Sequence, residues 1–316
     1  MTLTNDAKAV VALTTRLGER KRPSLTAKMW HQLANALRDG GRSPADIFSQ
    51  SFDPHEVPGI DPELAVRIKA LLGDGASATL EAEDLSRKGI WTITIIDDTY
   101  PPSLIARLGD QAPPVLFGAG NLELMRVPGI GVVGSRDVAQ PGADVAAAVA
   151  RQAVSLGYPV VSGGARGIDQ LAMNAAYLAD GSVIGVLADS LIGRIRKPDV
   201  LEALDSGNTC LVAQQVPSAG FTPASAMSRN TLVYALSEAT VVVASADQSG
   251  GTWAGAVEAT RADNGTVIVW RGDGEGPGNA ALERLGGRTM TSVKDLASLI
   301  GSSEEPVRQL SLELPH

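Results

Sequence analysis

The sequence predicts an α/β protein built on a doubly wound, mainly parallel β-sheet, with a small helical module at its amino-terminal end. Two observations carry this prediction. From Gly129 onward, apolar runs rich in β-branched residues alternate with alanine-rich segments of helical length, which is typical of strand–helix–strand units. Glycine-rich segments at residues 131–136, 162–169 and 249–252 also stand where such runs end. Because the carboxyl ends of parallel strands share one edge of a sheet, these segments are expected to surround one crevice.

The composition is that of an ordinary soluble globular protein. Its 316 residues suffice for a full core and two structural units, and 44% are hydrophobic against 20% charged. The apolar runs are too short to span a membrane, and the first residues lack a signal-peptide pattern, so we expect a cytoplasmic protein without a membrane partner. The single cysteine, Cys210, excludes an intramolecular disulfide and a multi-cysteine metal site.

The net charge of −8 restricts the kind of nucleic-acid binding that the chain can support. A dedicated duplex-DNA-binding protein is usually strongly basic, because neutralisation of phosphates dominates its affinity. Any nucleic-acid contact must therefore depend on a local basic patch in an acidic body. Aromatic residues amount to 4% of the chain, so no extended stacking platform for bases is visible.

Residues 1–80 are predicted to form the helical module. The segment Lys28–Leu37 has apolar residues at helical spacing, and Asp61 and Pro62 provide an N-cap and a first helical position for the helix Glu63–Leu72. The Pro-Gly-Ile turn before this helix resembles turns of helix-hairpin-helix or SAM-like modules that grip a nucleic-acid backbone. The alternative, which we favour, is that the turn only caps a small bundle.

Residues 81–128 are predicted to be a connector that packs on the sheet, with one strand at Gly89–Ile96 and proline-fixed extended segments. Residues 129–300 are predicted to form the α/β domain, and residues 301–316 a mobile acidic tail. The strands predicted in the domain are Ile130–Val133, Pro159–Ser162, Ser182–Leu187, Thr209–Ala213, Thr240–Ala244 and Thr266–Trp270. The helices predicted between them are Gly142–Leu156, Asp169–Ala179, Pro198–Leu204, Thr231–Leu236 and Trp253–Ala262.

The segment Gly134-Ser-Arg136 has the residue types of an anion site. Glycine permits a tight exit from the strand, a serine hydroxyl donates to an oxyanion, and arginine binds phosphate in bidentate fashion. The alternative is a strand-end turn with a solvated arginine. Segment 162–169 repeats the arrangement, with Arg166 as the functional candidate and Asp169 as a structural cap of the following helix.

Two further segments complete the predicted crevice. Arg229 and Asn230 are expected just before the helix at 231–236, where they either bind phosphate or pair internally. The segment 249–252 directs backbone N–H groups at the crevice. Together, the residues predicted to bind phosphate are Gly134, Ser135, Arg136, Ser162, Gly163, Gly164, Arg166, Gly167, Arg229, Asn230, Ser249, Gly250, Gly251 and Thr252. The basic cluster Arg194, Arg196 and Lys197 is either a rim of this crevice or a solvated face.

Several other functions are disfavoured. The segment Gly129–Gly134 matches a dinucleotide fingerprint formally, but the apolar residues inside the match are themselves the strand, and the Walker pattern is absent. We therefore predict no cofactor. No cluster of histidine, cysteine and carboxylate residues has metal-ligand spacing, and the three histidines lie outside the predicted domain. Glu258 is the one carboxylate near a glycine segment that could act as an acid or base, although a surface position is expected.

The ordered motifs resemble those of the DNA-processing protein A family, also called DprA or Smf. The resemblance covers roughly residues 80–295 and rests on Gly-x-x-Gly-Ser-Arg at 131–136, Ser-Gly-x-Ala-x-Gly-Ile-Asp at 162–169, Arg-Asn at 229–230, Ser-Gly-x at 249–251, and the lead-in segments 98–104 and 113–122. The chain departs from the family at Leu171-Ala-Met173, where Ala-His is usual, and at Arg194–Pro198, where a Tyr-Pro pair is usual.

The resemblance implies an extended Rossmann-like fold that binds single-stranded DNA in a basic pocket, forms a homodimer and hands the DNA to a RecA-type recombinase. It implies no catalytic residue. Two alternatives come from the wider superfamily, which includes the lysine-decarboxylase-like (LOG) proteins. One is a sensor of a nucleotide-derived ligand, with a role in defence against foreign DNA. The other, weaker alternative is a nucleotide phosphoribohydrolase that uses Glu258.

Overall fold

A nine-stranded β-sheet forms the centre of the protein in a computed structural model that describes residues 2–18, 23–73 and 75–301. Its strands are β1 (Trp91–Thr94), β2 (Val115–Gly120), β3 (Gly129–Gly134), β4 (Val160–Ser162), β5 (Val183–Val186), β6 (Thr209–Ala213), β7 (Ser237–Ala244), β8 (Thr266–Trp270) and β9 (Arg288–Met290). All but the first residue of the predicted acidic tail lies outside the described residues.

The strand order β1-β2-β6-β5-β4-β3-β7-β8-β9 is that of a doubly wound sheet. The strands from β6 across to β9 are all parallel, whereas β1 and β2 are antiparallel and extend one edge. The chain winds from β3 outward to β6 and then returns to β7, which lies beside β3 with Val132 opposite Val241. The topological switch point is therefore at β3, where ligands of such sheets usually bind. The predicted fold class, an extended Rossmann-like α/β fold, is confirmed.

Helices cover both faces of the sheet. They are α1 (Asn5–Thr14), α2 (Ala27–Asp39), α3 (Pro62–Leu72), α4 (Gly75–Arg87), α5 (Pro102–Leu108), α6 (Gln140–Ser155), α7 (Ile168–Tyr177), α8 (Leu191–Arg194), α9 (Pro198–Asp205), α10 (Pro223–Ala235), α11 (Gly250–Ala262), α12 (Asn279–Arg284) and α13 (Leu296–Gly301). Among the described residues, no helix is both long and apolar enough to cross a membrane.

Alternating side chains of the strands build two core layers. Val132 points into a cluster with α6 and α7, whereas Val133 points to the opposite face, into a cluster with α10 and α11. The contacting faces of α6 and α7 consist largely of alanine, which lets these two helices lie close to the strands. The positions of α7, α10 and α11 over the end of β3 are set by this packing.

The amino-terminal helices share a core with the antiparallel edge of the sheet. Trp30 and Leu33 of α2 lie in one cluster with Phe117 of β2 and Leu211 of β6. The predicted helix Lys28–Leu37 lies within α2, and the predicted N-cap is confirmed because Asp61 Oδ1 accepts a hydrogen bond of 2.8 Å from the N–H of Leu64.

The predicted strands were all found, but the start of one helix was predicted wrongly. The sequence placed a helix at Thr231–Leu236, whereas α10 begins at Pro223. The reason is a capping box in which the side chains of Thr222 and Ser225 accept from each other's backbone N–H groups, with Pro223 at the first helical position. Arg229 and Asn230 therefore project from a helix and not from a loop.

Several elements were missed: strands β2 and β9, helices α5, α8, α12 and α13, and the start of α11. The apolar residues of β2 directly follow two prolines and were predicted only as an extended segment, and β9 is three residues long with a single apolar residue. Helix α11 begins at Gly250, three residues before the predicted start, so Gly250, Gly251 and Thr252 are its first turn.

Arg107 at the end of α5 fastens this connector helix to the body of the sheet. Its Nη1 donates to the carbonyl oxygens of Tyr234 and Ala235, each at 3.3 Å, and also to that of Ser237. Its Nη2 donates to the Glu238 carboxylate at 3.3 Å. One guanidinium thus satisfies the carbonyl groups that the end of α10 leaves without helical partners.

We expect Arg107→Met to lower the free energy of unfolding by about 1–3 kcal/mol, because buried carbonyl groups lose their donor while the aliphatic stem is kept. Urea denaturation measures the change. Arg126→Met is the matched control, since Arg126 is exposed and its ion-pair partner among the described residues is Glu123 in the adjacent turn. Equal stability of the two variants would contradict the fastening role of Arg107.

Candidate nucleic-acid interface

A cavity of about 440 Å³ lies at the switch point, above the carboxyl end of β3. We call it the switch-point cavity. Three segments form its walls: the loop after β3, one face of α10, and the start of α11. Its lining residues are Val133, Gly134, Ser135, Arg136, Asp137, Ala165, Asp169, Ala226, Met227, Arg229, Asn230, Tyr234, Ala246, Ser249, Gly250, Gly251 and Thr252.

Two depressions adjoin the switch-point cavity. The Phe221 groove, of about 370 Å³, is lined by Arg136, Gly163, Gly164, Ala165, Arg166, Ala188, Asp189, Arg194, Phe221 and Arg229. The α7 groove, of about 580 Å³, is lined by Arg136, Asp137, Val138, Ala139, Arg166, Gly167, Gln170, Leu171 and Asn174. Arg136 is the residue that borders all three spaces, so it stands where they meet.

A buried ion pair forms the floor of the switch-point cavity. Arg229 Nη1 donates to Asp169 Oδ2 at 2.9 Å, and the two residues are only 7% and 4% exposed. Burial raises the pKa of the Asp169 carboxyl, whereas the Arg229 guanidinium and the backbone N–H groups of Ala165 and Gly134 act to lower it. The hydrogen bonds received from three sides keep this carboxylate fixed against Arg229.

The predicted capping role of Asp169 is wrong. Helix α7 begins at Ile168 and has Gly167 at its N-cap, with no side-chain capping hydrogen bond. Asp169 lies one residue inside the helix, and its carboxylate turns toward Arg229 instead. Of the two alternatives for Arg229, the structure therefore contains the internal pair.

Gly163 is required by the position of Arg229. A Cβ atom on Gly163 would lie 0.9 Å from Arg229 Nη1, so any side chain there would displace the guanidinium. Gly167 is constrained as well, because its φ is +89° and a Cβ atom would lie 2.4 Å from the carbonyl oxygen of Ser135. These two glycines therefore allow neighbouring segments of the chain to pack closely against each other.

Two polar atoms of the cavity floor have no hydrogen-bond partner among the described residues. They are Arg229 Nε and the hydroxyl oxygen of Tyr234, both fully shielded from bulk solvent. Burial, and then the charge of Asp169, raises the pKa of Tyr234, so its hydroxyl remains protonated and able to donate. Asn230 Nδ2, by contrast, donates to the carbonyl of Gly251 at 3.0 Å and ties α10 to α11.

Most of the predicted arginines have an aspartate partner. Arg166 pairs with Asp137, and Arg194 Nη2 pairs with Asp189 at 2.9 Å. Arg136 differs, since no carboxylate of the described residues lies within ion-pair distance of it. Its guanidinium carbon instead lies 5.9 Å from the centre of the Phe221 ring, a side chain that is 53% exposed.

Three predicted residues do not line any of the three spaces. The Ser162 hydroxyl is fully buried and donates to the carbonyl of Val132 at 2.7 Å, so it ties β4 to β3. Arg196 and Lys197 are exposed between α8 and α9 and border none of the spaces. The other predicted residues do line at least one of them.

Sequence reasoning missed Tyr234 and the role of Phe221. Tyr234 follows Asn230 by four residues, so both lie on one face once α10 is known to start upstream. Phe221 stands in a proline- and glycine-containing loop, where an aromatic side chain that is not part of the core is a signal of binding.

Glu258 lies outside the switch-point cavity. It borders a shallow groove together with Trp253, Val257 and Arg261, and Thr231 Oγ1 is 3.5 Å from its carboxylate. Within the described part of the chain, no three histidine, cysteine or carboxylate side chains are grouped so that they could hold a metal ion.

Comparison with known proteins assigns the chain to a family. A sequence model of the DNA recombination-mediator protein A family matches residues 91–305, more than half of the chain, and the chain belongs to this family. It is 39% identical to DNA processing protein DprA of Streptococcus pneumoniae over 100 residues, which are 32% of this chain and 34% of that protein. It is 30% identical to DprA of Bacillus subtilis over 166 residues, 52% of this chain and 55% of that protein.

The aligned region thus spans about a third to a half of these relatives. Solved structures show the same fold over more of the chain. DprA of Streptococcus pneumoniae superposes with a TM-score of 0.69 at 22% identity, covering 94% of this chain and 98% of that one. A DprA of Helicobacter pylori, described for its single-stranded DNA binding mode, superposes with a TM-score of 0.55 at 20% identity, covering 66% of this chain and 94% of that one.

We expect Asp169→Asn to lower the free energy of unfolding by about 3–5 kcal/mol, because the buried Arg229 charge loses its counter-charge while the side-chain volume is unchanged. Urea denaturation provides the value. Asp137→Asn is the control, since the Arg166–Asp137 pair is exposed and such pairs add little to stability. Similar small losses in both variants would show that the Arg229–Asp169 pair does not hold the floor together.

We also expect Gly163→Ala to lower the free energy of unfolding by about 3 kcal/mol or more, because the added methyl group forces Arg229 away from Asp169. The shift of the urea midpoint reports this loss. Gly193→Ala is the comparison, since its nearest neighbour would be Ser190 Oγ at an ordinary 3.5 Å. A Gly163→Ala protein as stable as Gly193→Ala would mean that Arg229 does not occupy the position described.

Proposed function

We propose that this chain binds single-stranded DNA along the edge formed by the Phe221 groove, Arg136 and the α7 groove, and that it acts as a recombination mediator in DNA uptake or processing. Membership of the recombination-mediator family supports the role. The Helicobacter pylori relative is described by its single-stranded DNA binding, which supports the ligand. The mediator acts by binding and has no catalytic residue in this proposal.

The observation that carries the proposal is the position of Arg136. It is exposed, lacks a carboxylate partner among the described residues, and borders the three adjoining spaces. Guanidinium groups bind phosphate oxygens in bidentate fashion, and the exposed Phe221 ring beside it offers a face for a base. A nucleotide bound here would have its phosphate on Arg136 and its base against Phe221.

Single strands suit this edge better than duplex. Bases of a single strand are free to stack on a lone aromatic side chain, whereas paired bases are not. Arg166 and Arg194 are already paired with aspartates, so the edge presents little net positive charge to a second phosphate backbone. The partner that receives the DNA would be a RecA-type recombinase, and the protein would act as a homodimer; both follow from the family alone.

The phosphoribohydrolase alternative lacks support from the geometry. Its candidate acid or base, Glu258, borders a groove that does not include Arg136 or Arg229. A group that transfers a proton must lie within hydrogen-bond reach of the reacting atoms, and the switch-point cavity would place a substrate away from this carboxylate.

We expect Arg136→Ala to weaken binding of single-stranded oligonucleotides and to reduce the slope of log affinity against log salt concentration by about 0.7, the value for one lost phosphate contact. Fluorescence anisotropy over a range of salt concentrations measures both quantities. Arg151→Ala is the matched control, because Arg151 is exposed on α6 and borders none of the three spaces.

Phe221→Ala distinguishes stacking from charge at the same edge. We expect it to weaken binding by about 1–3 kcal/mol, as loss of one stacked base does, without changing the salt slope. Affinities and slopes that stay at the wild-type values in both Arg136→Ala and Phe221→Ala would remove this edge from DNA binding.

A further inference from the structure

The switch-point cavity differs from the two grooves in having a closed, polar floor. The residues at its base, Arg229, Asp169 and Tyr234, are all more than nine-tenths buried. Arg229 Nε and the Tyr234 hydroxyl are donors that no described protein group accepts. Buried donors are nearly always satisfied in folded proteins, so a pair of unsatisfied donors in one cavity points to an acceptor supplied from outside.

The start of α11 adds backbone donors from another wall. Gly250, Gly251 and Thr252 are the first three residues of this 13-residue helix, and their N–H groups have no partner within the helix. Ser249, at the N-cap, makes no side-chain capping hydrogen bond. All four residues line the cavity. The residues that carry the floor donors and the residues of the helix start therefore line one space, and the helix dipole favours an anion there.

We propose that the switch-point cavity binds a phosphomonoester: the terminal phosphate of a DNA strand or the phosphate of a mononucleotide. A phosphomonoester has three non-bridging oxygens to accept from donors on several sides, and only one ester link that must leave through the mouth. A phosphodiester inside a strand has only two non-bridging oxygens and one negative charge fewer than a fully ionised monoester, so it would satisfy fewer of these donors.

The charges of the cavity agree with this ligand. Asp169 is occupied by Arg229 and by backbone N–H groups, which leaves the Nε edge of Arg229 without an acceptor. Arg136 at the mouth has no carboxylate partner among the described residues and adds a positive charge where the ligand enters. The inference rests on the proposed function in one respect, since the terminal phosphate would belong to the strand that the grooves hold.

The test uses the full chain and three oligonucleotides of one sequence, with a 5′-phosphate, a 3′-phosphate, or hydroxyl groups at both ends. We expect one phosphorylated end to bind about tenfold more tightly than the hydroxyl ends, the effect of hydrogen bonds to a charged group. Deoxythymidine monophosphate, but not deoxythymidine, should compete and raise the melting temperature. Equal affinity for all three oligonucleotides together with no effect of the monophosphate would overturn the proposal.

Two comparisons complete the test. One shows whether the phosphate comes from a strand end or from a free nucleotide, and the other tests the cavity proposal separately from the DNA-binding proposal. A phosphorylated strand that binds far more tightly than the monophosphate assigns the site to strand ends, and equal binding assigns it to free nucleotides. Hydroxyl-ended oligonucleotides that fail to bind would refute the DNA-binding proposal, while the monophosphate still tests the cavity. Hydroxyl-ended oligonucleotides that bind as well as phosphorylated ones, with no monophosphate effect, would refute the cavity alone.

Tyr234→Phe is the decisive variant because it removes one unpartnered hydroxyl and leaves the ring in place. We expect it to reduce the preference for the phosphorylated end about threefold, since one of several donors is lost, without loss of thermal stability, since the hydroxyl makes no internal hydrogen bond. Tyr177→Phe on α7 is the control, as Tyr177 is half-buried and borders none of the three spaces. An unchanged preference in Tyr234→Phe would exclude this hydroxyl from phosphate binding.

Discussion

The ion pair between Arg229 and Asp169 is the interaction on which the arrangement of the site depends. It joins α10, which lies on one face of the sheet, to the start of α7 on the other face. Burying two charges is costly, and the geometry compensates only because the carboxylate also accepts from backbone N–H groups. The guanidinium is in turn pressed against the backbone of Gly163. Helix positions, loop conformation and the floor of the cavity are therefore fixed together.

Pairing of charges also explains how an acidic chain can present an anion-binding edge. Arg166, Arg194 and Arg229 each have an aspartate partner, so they hold neighbouring segments in place but add little net positive charge. The positive potential is left to Arg136 and to the unpaired N–H groups at the start of α11. In the proposed function, such an edge would hold anionic ligands through a few well-placed donors, and its affinity would depend less on salt than that of a broad basic surface.

The sheet and the segments that surround the switch-point cavity were predictable from the sequence, whereas the pairing inside the cavity was not. Strands β3, β4 and β7 are short apolar runs whose pattern is local, and the segments after their carboxyl ends line the switch-point cavity and the Phe221 groove. The start of α10 was predicted wrongly because Thr222 and Ser225, which form its capping box, stand ten and seven residues before Leu232, the first buried apolar residue of the helix. The partnership of Arg229 with Asp169 spans 60 residues, so no local pattern carries it.

The glycines of the motifs have two different functions, which the sequence alone does not separate. At Gly134 and Gly163 an added Cβ would collide with Ile168 or Arg229, so these glycines permit protein segments to approach each other. At Gly250 the surrounding space is open, and its φ of +81° sets the direction in which α11 begins. The first two motifs thus build the floor and the walls of the switch-point cavity, and the last one lines its open part. Since the floor, once built, contains donors without acceptors among the described residues, the tight packing of the first motifs creates the donors that the proposed phosphate would use together with the N–H groups of the last motif.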